Sequence, residues 1–251
     1  MRDTGDIHNS ETKGFSPWST HPMSSHSEGL VGVVKFPGSN CDLDSVNALK
    51  SLGLGAELVW HTDFPKRIGD FTAIYIPGGF SYGDHLRAGV IAAFSPSLKA
   101  IRDFAKKGGR VLGVCNGFQI LVESGLLPGA LARNDTNTFI CKWVGLELME
   151  NVSFLSPSTL PVTRNPKLIS LPIANGEGKY MADEKTLERL KENKQIVFTY
   201  SSNPNGSALS IAGICNEAGN VVGMMPHPER AITPELGGTD GKEILLRAFK
   251  L

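Results

Sequence analysis

The segment Gly113-Val114-Cys115-Asn116-Gly117, set directly behind the apolar pair Val111-Leu112, constrains this chain more than any other. It reads as a buried strand, a tight turn with a cysteine at its apex, and a helix running on through Phe118-Gln119-Ile120-Leu121. This is the cysteine form of the G-x-S-x-G nucleophile elbow. The apex residue of such a turn sits in a strained backbone conformation, and its neighbours must be small enough to pass the adjoining strand and helix. The sulfur stands at a helix N-terminus, where backbone N–H groups favour negative charge and so ionisation of the thiol. A cysteine is also often a small packed hydrophobe, so the elbow alone leaves both a nucleophile and a core residue open. For Cys41, Cys141 and Cys215 the packing or loop reading is preferred. Cys141 and Cys215 lie in apolar strand-like runs, and Cys41 follows Gly38-Ser39-Asn40 as a loop or helix-entry residue.

The chain has 251 residues, 41% of them hydrophobic and 20% charged, which is the make-up of an ordinary globular protein. The 25 basic and 25 acidic residues cancel, and no basic stripe occurs, so neither nucleic acid nor an anionic membrane is an expected partner. No apolar run approaches a membrane span, and the N-terminus has no signal-peptide core. The four cysteines show neither a C-x-x-C pair nor a disulfide spacing, which fits a reducing, cytoplasmic setting. Residues 1–29 are rich in Ser, Thr, His, Asp and Gly without apolar periodicity and read as a disordered, dispensable extension. Residues 30–251 then form a single domain.

Along that domain, short apolar runs alternate with helical spacings. Strands are expected at Val31–Phe36, Ala56–Trp60, Ala73–Ile76 and Arg110–Val114. Helices are expected at Asp42–Leu52 with Asp42 as cap, at Leu86–Phe94 and at Ser97–Lys107. After Leu131 strands dominate: Phe139–Met149, Ile169–Ile173, Gln195–Tyr200, Leu209–Cys215 and Val221–Met225, with helices at Asp183–Asn193 and Thr239–Lys250. The pattern predicts an α/β fold: an open, mostly parallel central sheet with helices on both faces and added antiparallel strands.

A cysteine nucleophile needs a base. Met225-Pro226-His227-Pro228-Glu229-Arg230 supplies a candidate, because the prolines favour extended backbone and place Glu229 on the same side as His227. A carboxylate there can hold the imidazole tautomer, as the acid of a triad does. A satisfied loop histidine remains the alternative. One His and one Glu without further ligands make a thin metal site, so no metal is expected. Gly78-Gly79 after a strand allows backbone N–H groups to approach a ligand, and one of them with the Asn116 N–H makes a candidate oxyanion hole. The segment Gly237–Glu243 lacks the phosphate-loop spacing, so no ATP site is expected in this chain.

In this order, Pro77-Gly78-Gly79-Phe80-Ser81, Gly113-Val114-Cys115-Asn116-Gly117-Phe118-Gln119 and Pro226-His227-Pro228-Glu229-Arg230 resemble the class I, triad-type glutamine amidotransferases. Further segments are similar to one branch, the glutaminase subunits of phosphoribosylformylglycinamidine synthase. These are Phe36-Pro37-Gly38-Ser39-Asn40-Cys41-Asp42, Phe80-Ser81-Tyr82-Gly83-Asp84, Asn137–Trp143 and Gly176-Glu177-Gly178. The resemblance implies a flavodoxin-like core and a Cys115, His227, Glu229 triad. It implies an oxyanion hole from Gly79 and Asn116, and glutamine binding by Gln119, Phe80 and Ser81. L-glutamine is the implied substrate, and a synthetase subunit with a small accessory subunit the implied partners. ATP and magnesium belong to the synthetase, and this chain carries no cofactor. A glutaminase serving another synthetase and a catalytically silent module of the same fold are the competing readings. Two positions depart from the branch: Asn175 stands where a histidine is expected, and His85 where a tyrosine is.

Overall fold

The computed structural model describes residues 29–157 and 168–250. The expected disordered extension, all but its last residue, lies outside the described residues. A nine-stranded sheet forms the centre. Its parallel half comprises β1 (Leu30–Lys35), β2 (Gly55–Trp60), β3 (Ala73–Ile76), β4 (Arg110–Val114) and β11 (Val221–Met224), in the spatial order β2-β1-β3-β4-β11. The antiparallel half continues outward from β11 through β10 (Ile211–Cys215), β9 (Ile196–Tyr200), β6 (Ile140–Leu148) and β7 (Leu168–Asn175). A separate two-stranded ribbon joins β5 (Ala130–Ala132) to β8 (Lys179–Met181). The helices are α1 (Asp42–Ser51), α2 (Phe64–Arg67), α3 (Val90–Ala93), α4 (Pro96–Lys106), α5 (Asn116–Glu123), α6 (Glu184–Glu192) and α7 (Asp240–Phe249). No helix among the described residues is long and apolar enough to cross a membrane.

Every residue of β3 and of β11 is buried, because helices cover both faces of the parallel half. Consecutive residues of β3 meet different layers. Tyr75 packs its ring 5.7 Å from Phe249 of α7, while Ile76 lies against Gly117 of α5. Apolar letters at every position are therefore required, and the sequence has them. In β6, Cys141, Lys142 and Trp143 are exposed in a row, with neither face covered, and only from Val144 through Leu146 to Leu148 does burial alternate onto one covered face.

Three expectations are corrected. The helix expected over Leu86–Phe94 shrinks to α3, because Leu86 adopts φ 71° and is 93% exposed: an apolar letter with nothing to pack on. Asp42 does not cap α1. Cys41 holds that position, and Asp42 instead pairs with Lys35 at 2.8 Å. Cys141 is exposed, not a packed core thiol. The short β5, β8 and α2 were not anticipated. Asp183 does cap α6, accepting from the Thr186 N–H at 2.7 Å.

Candidate active site

The parallel strands deliver the site at their C-terminal ends. β4 leads into Cys115, which takes φ 53° and ψ −107° before α5 begins. Gly117 is a necessity of this turn, since a β-carbon there would collide with the Ile76 carbonyl. β3 runs out into Pro77-Gly78-Gly79, and β11 leads into Met225-Pro226-His227, whose N–H donates to the Pro172 carbonyl of β7 at 2.9 Å. Gly78 lies where these pieces converge. A β-carbon on it would stand 2.8 Å from His227 Cε1, 3.2 Å from Cys41 Sγ and 3.3 Å from Cys115 Cβ.

His227 Nδ1 and Glu229 Oε1 are 2.6 Å apart, and both residues are at most 2% exposed. Burial works against charge on His227, yet Glu229 and then Cys115 outweigh it and hold the imidazole well above its ordinary 6.5. Burial likewise opposes the Glu229 carboxylate, and the His227 charge prevails and holds it below the ordinary carboxylate range. The second oxygen of Glu229 accepts from the Tyr75 hydroxyl at 3.1 Å. His227 Nε2 is buried without a hydrogen-bond partner, and the Cys115 thiol donates to the Ala174 carbonyl at 3.6 Å. A thiol, an imidazole with one nitrogen committed to a carboxylate, and a helix N-terminus suit thiolate nucleophilic catalysis.

The other expected residues divide. A cavity of about 230 Å³ opens in front of Cys115, with Gly79, Phe80 and Gln119 on its wall. Asn116 braces the turn: its side chain accepts from the Ser81 N–H at 3.2 Å and donates to Gln119 Oε1 at 2.9 Å. Gln119 in turn donates to the Glu177 carbonyl at 2.7 Å. Ser81 is buried behind this wall and supports it through its main chain. Phe80 stands at the rim with its ring 6.4 Å from that of Phe139. His61, just after β2, is buried and bonded to Ser95 Oγ at 2.9 Å and to Tyr82.

Two participants were missed. Tyr75 looks like any other letter of an apolar strand. Cys41 was read as a loop or helix-entry residue and does stand at the start of α1, but it also lies beside His227 and accepts from Arg230 Nη2 at 3.2 Å. Cys41, His227 and Glu229 bring potential ligand atoms within 4.8 Å of one another, so a third metal-capable group is present where the sequence suggested none. The His227–Glu229 bond already engages two of the three groups. Asn175, the first departure, is 3% exposed on the cavity wall, and neither atom of its amide has a partner. His85, the second, is exposed.

The sequence profile of the CobB/CobQ-like glutamine amidotransferase domain matches residues 29–237. The chain belongs to that family. It is a cysteine-dependent glutamine amidotransferase. Among solved structures it is similar to a chain of PurLQS from Thermotoga maritima, at 40% identity and a TM-score of 0.77, over 88% of this chain and 97% of that one. Two more distant likenesses concern the fold alone. One is a Thermoplasma acidophilum protein assigned to GMP synthase, at 13% identity and a TM-score of 0.58, over 89% of this chain and 94% of that one. The other is a glutamine amidotransferase from Thermotoga maritima, at 19% identity and a TM-score of 0.53, over 81% and 77%. The amidotransferase fold thus accounts for the parallel half of the sheet and for the elbow at its centre.

Proposed function

We propose that this amidotransferase is the glutaminase subunit of phosphoribosylformylglycinamidine synthase. It hydrolyses L-glutamine to glutamate and passes the ammonia to a synthetase that converts formylglycinamide ribonucleotide to formylglycinamidine ribonucleotide in purine biosynthesis. The observation that carries the glutaminase chemistry is the convergence of Cys115 and His227 around Gly78, with Glu229 bonded to His227 and a cavity in front of Cys115. The likeness to a PurLQS chain supports the choice of synthetase.

In the reaction, the Cys115 thiolate attacks the carboxamide carbon of glutamine. The backbone N–H groups of Gly79 and Asn116 receive the oxyanion. His227, held by Glu229, gives its proton to the nitrogen as the C–N bond breaks and ammonia leaves. A water molecule then attacks the γ-glutamyl thioester, with His227 taking its proton, and the thiolate is released with glutamate. Gln119, Phe80 and Ser81 shape the glutamine pocket. No metal takes part in these steps. ATP and magnesium act on the synthetase, and a small accessory subunit completes the complex. The catalytic unit is residues 30–251. The setting is cytoplasmic, which the free thiols Cys41, Cys115, Cys141 and Cys215 support.

The test is ammonia release from L-glutamine by the full chain, alone and with the synthetase, its ribonucleotide and ATP–magnesium. The expected result is slow release alone and strong acceleration in the complete mixture. Equal rates would overturn the assignment, and acceleration by a different synthetase would move the chain to that enzyme.

A further inference from the structure

Two of the four thiols meet at one point beside the reacting groups. A β-carbon on Gly78 would stand 3.2 Å from Cys41 Sγ and 3.3 Å from Cys115 Cβ, so glycine at 78 leaves both cysteines open to the same small space. The Cys41 sulfur also lies within 4.8 Å of a ring nitrogen of His227. Burial opposes charge on that ring, and Glu229, Cys115 and Cys41 together favour it. Cys41 is held in place: its thiol donates to Asn40 Oδ1 at 3.5 Å, and its sulfur accepts from Arg230 Nη2 at 3.2 Å. Its backbone N–H donates to the Gly78 carbonyl at 3.3 Å, which ties it to the same glycine. Cys215, buried in β10, and Cys141, exposed on β6, belong to the antiparallel half of the sheet.

The two cysteines differ in access. Cys115 lines the cavity at the N-terminus of α5, where a small molecule from solvent meets it. Cys41 stands off the cavity wall and is 3% exposed. The amide chemistry gives Cys41 no bond to make or break. A nucleophilic thiolate open to solvent is also the form of cysteine that hydroperoxides oxidise. Left alone, the sulfenic acid so formed goes on to sulfinic and sulfonic acids, which thiols do not reverse. A second thiol within reach stops that ladder at a disulfide. A disulfide places its β-carbons about 3.5–4.5 Å apart, and any side chain at 78 would crowd that gap.

We propose that Cys41 is a resolving thiol, which converts Cys115 oxidised by a hydroperoxide into a reversible Cys41–Cys115 disulfide. In the first step the Cys115 thiolate attacks one oxygen of the hydroperoxide. An S–O bond forms and the O–O bond breaks. The leaving oxygen takes a proton from the charged His227 and departs as an alcohol, or as water when the oxidant is hydrogen peroxide. The sulfur gives up two electrons and the peroxide gains them. In the second step the Cys41 sulfur attacks the sulfenic sulfur. The S–S bond forms, the S–O bond breaks, and hydroxide leaves with the Cys41 thiol proton as water. Two thiols are thereby oxidised to one disulfide, and one hydroperoxide is reduced to alcohol and water. The closed pair withholds the nucleophile from amides until a dithiol reduces it. The glutaminase reading enters only through the activity assay.

The experiment treats the full chain with hydrogen peroxide and removes the excess with catalase. Intact mass, a non-reducing peptide map and ammonia release from L-glutamine are then measured before and after dithiothreitol. The expected product is lighter than the untreated chain by a pair of hydrogens, with the peptides of Cys41 and Cys115 joined. It has lost ammonia release and regains it with dithiothreitol. In Cys41→Ala, each rate being referred to the same protein untreated, the loss persists after dithiothreitol and Cys115 carries the added oxygens of a sulfinic or sulfonic acid. A wild-type map that leaves Cys41 and Cys115 unlinked, or links either to Cys141 or Cys215, overturns the inference. Full recovery of oxidised Cys41→Ala under dithiothreitol overturns it as well. Should that variant fail to fold, the wild-type map decides alone. The map needs no turnover, so a chain that releases no ammonia from L-glutamine would overturn the glutaminase reading and leave the disulfide to be judged by its mass.

Discussion

The two halves of the sheet contribute different things to one cavity. The parallel half holds the reacting groups: Cys115 follows β4, Gly78 follows β3, and His227 follows β11. All three sit at strand ends whose neighbours are buried and locked on both faces. The antiparallel half supplies the opposite wall. Asn175 ends β7, Glu177 follows it, and Phe139 precedes β6. Within that half β10 and β9 are buried almost throughout, and it is the outer strands β6 and β7 that are less covered, with three exposed residues in a row in β6. The difference teaches a division of labour: the rigid layer fixes the geometry of bond making, and the outer layer sets which molecule is admitted.

That division yields an ordered set of expectations. Cys115→Ser removes the nucleophile and lowers kcat on the order of a thousandfold or more, with thermal unfolding unchanged. Labelling by 6-diazo-5-oxonorleucine, mapped by mass spectrometry, falls on Cys115. An adduct on Cys41, Cys141 or Cys215 would break the comparison at its root. Glu229→Gln leaves His227 without its charge partner and lowers kcat on the order of a hundredfold or more, read in steady-state kinetics. Chelators leave this step unchanged, and activity lost to EDTA and restored by zinc would replace the triad with a metal site at Cys41, His227 and Glu229. Tyr75→Phe deletes one bond to Glu229 and costs roughly tenfold in kcat. On the other wall, Phe139→Ala raises KM for glutamine by a few-fold with kcat preserved. If that substitution acted on kcat instead, the two halves would not be separable.

The smallest effect is a pH dependence. Asp84 lines the cavity, where burial and then the charge of Glu177 raise it, so it gains a proton as pH falls through about 6 and loses its charge. KM for glutamine is therefore flat above about pH 6 and climbs below it, by up to about tenfold per lost charge contact. The groups facing Asp84 are Glu177 across the cavity, the neutral amide of Asn116 and the Arg133 side chain at the wall. A profile that keeps its low-pH rise in Asp84→Asn would assign the effect to another group.

Legibility in the sequence follows the same division. The strands of the parallel half are continuous apolar runs because both faces are covered, and they were readable nearly to the residue. The elbow and the Pro-His-Pro-Glu segment were readable because each is local: glycines and prolines fix the backbone within a few positions. What escaped was non-local or lacked a packing partner. Tyr75 and Glu229 meet across 154 residues. Cys41 reaches Arg230 across 189. No spacing rule connects such pairs. Leu86 looked helical by its letter and faces water in a left-handed turn. Cys141 looked buried because Phe139-Ile140-Cys141 is an apolar run, but Cys141, Lys142 and Trp143 are exposed in a row, so neither face is covered at that end of β6.

The backbone at Cys115, with φ 53° and ψ −107°, has a consequence for how the protein can change. A side chain held in such a sparsely populated region costs about 1–3 kcal/mol, more than the roughly 0.5–1 kcal/mol of extra chain entropy that glycine brings. Cys115→Gly should therefore melt at a higher temperature than the natural protein while losing all glutaminase activity, and a thermal melt beside an ammonia assay checks both. Heat resistance and turnover are set against each other at this one position. Any lineage or library selected for robustness alone would drift toward a sturdier scaffold that no longer makes ammonia.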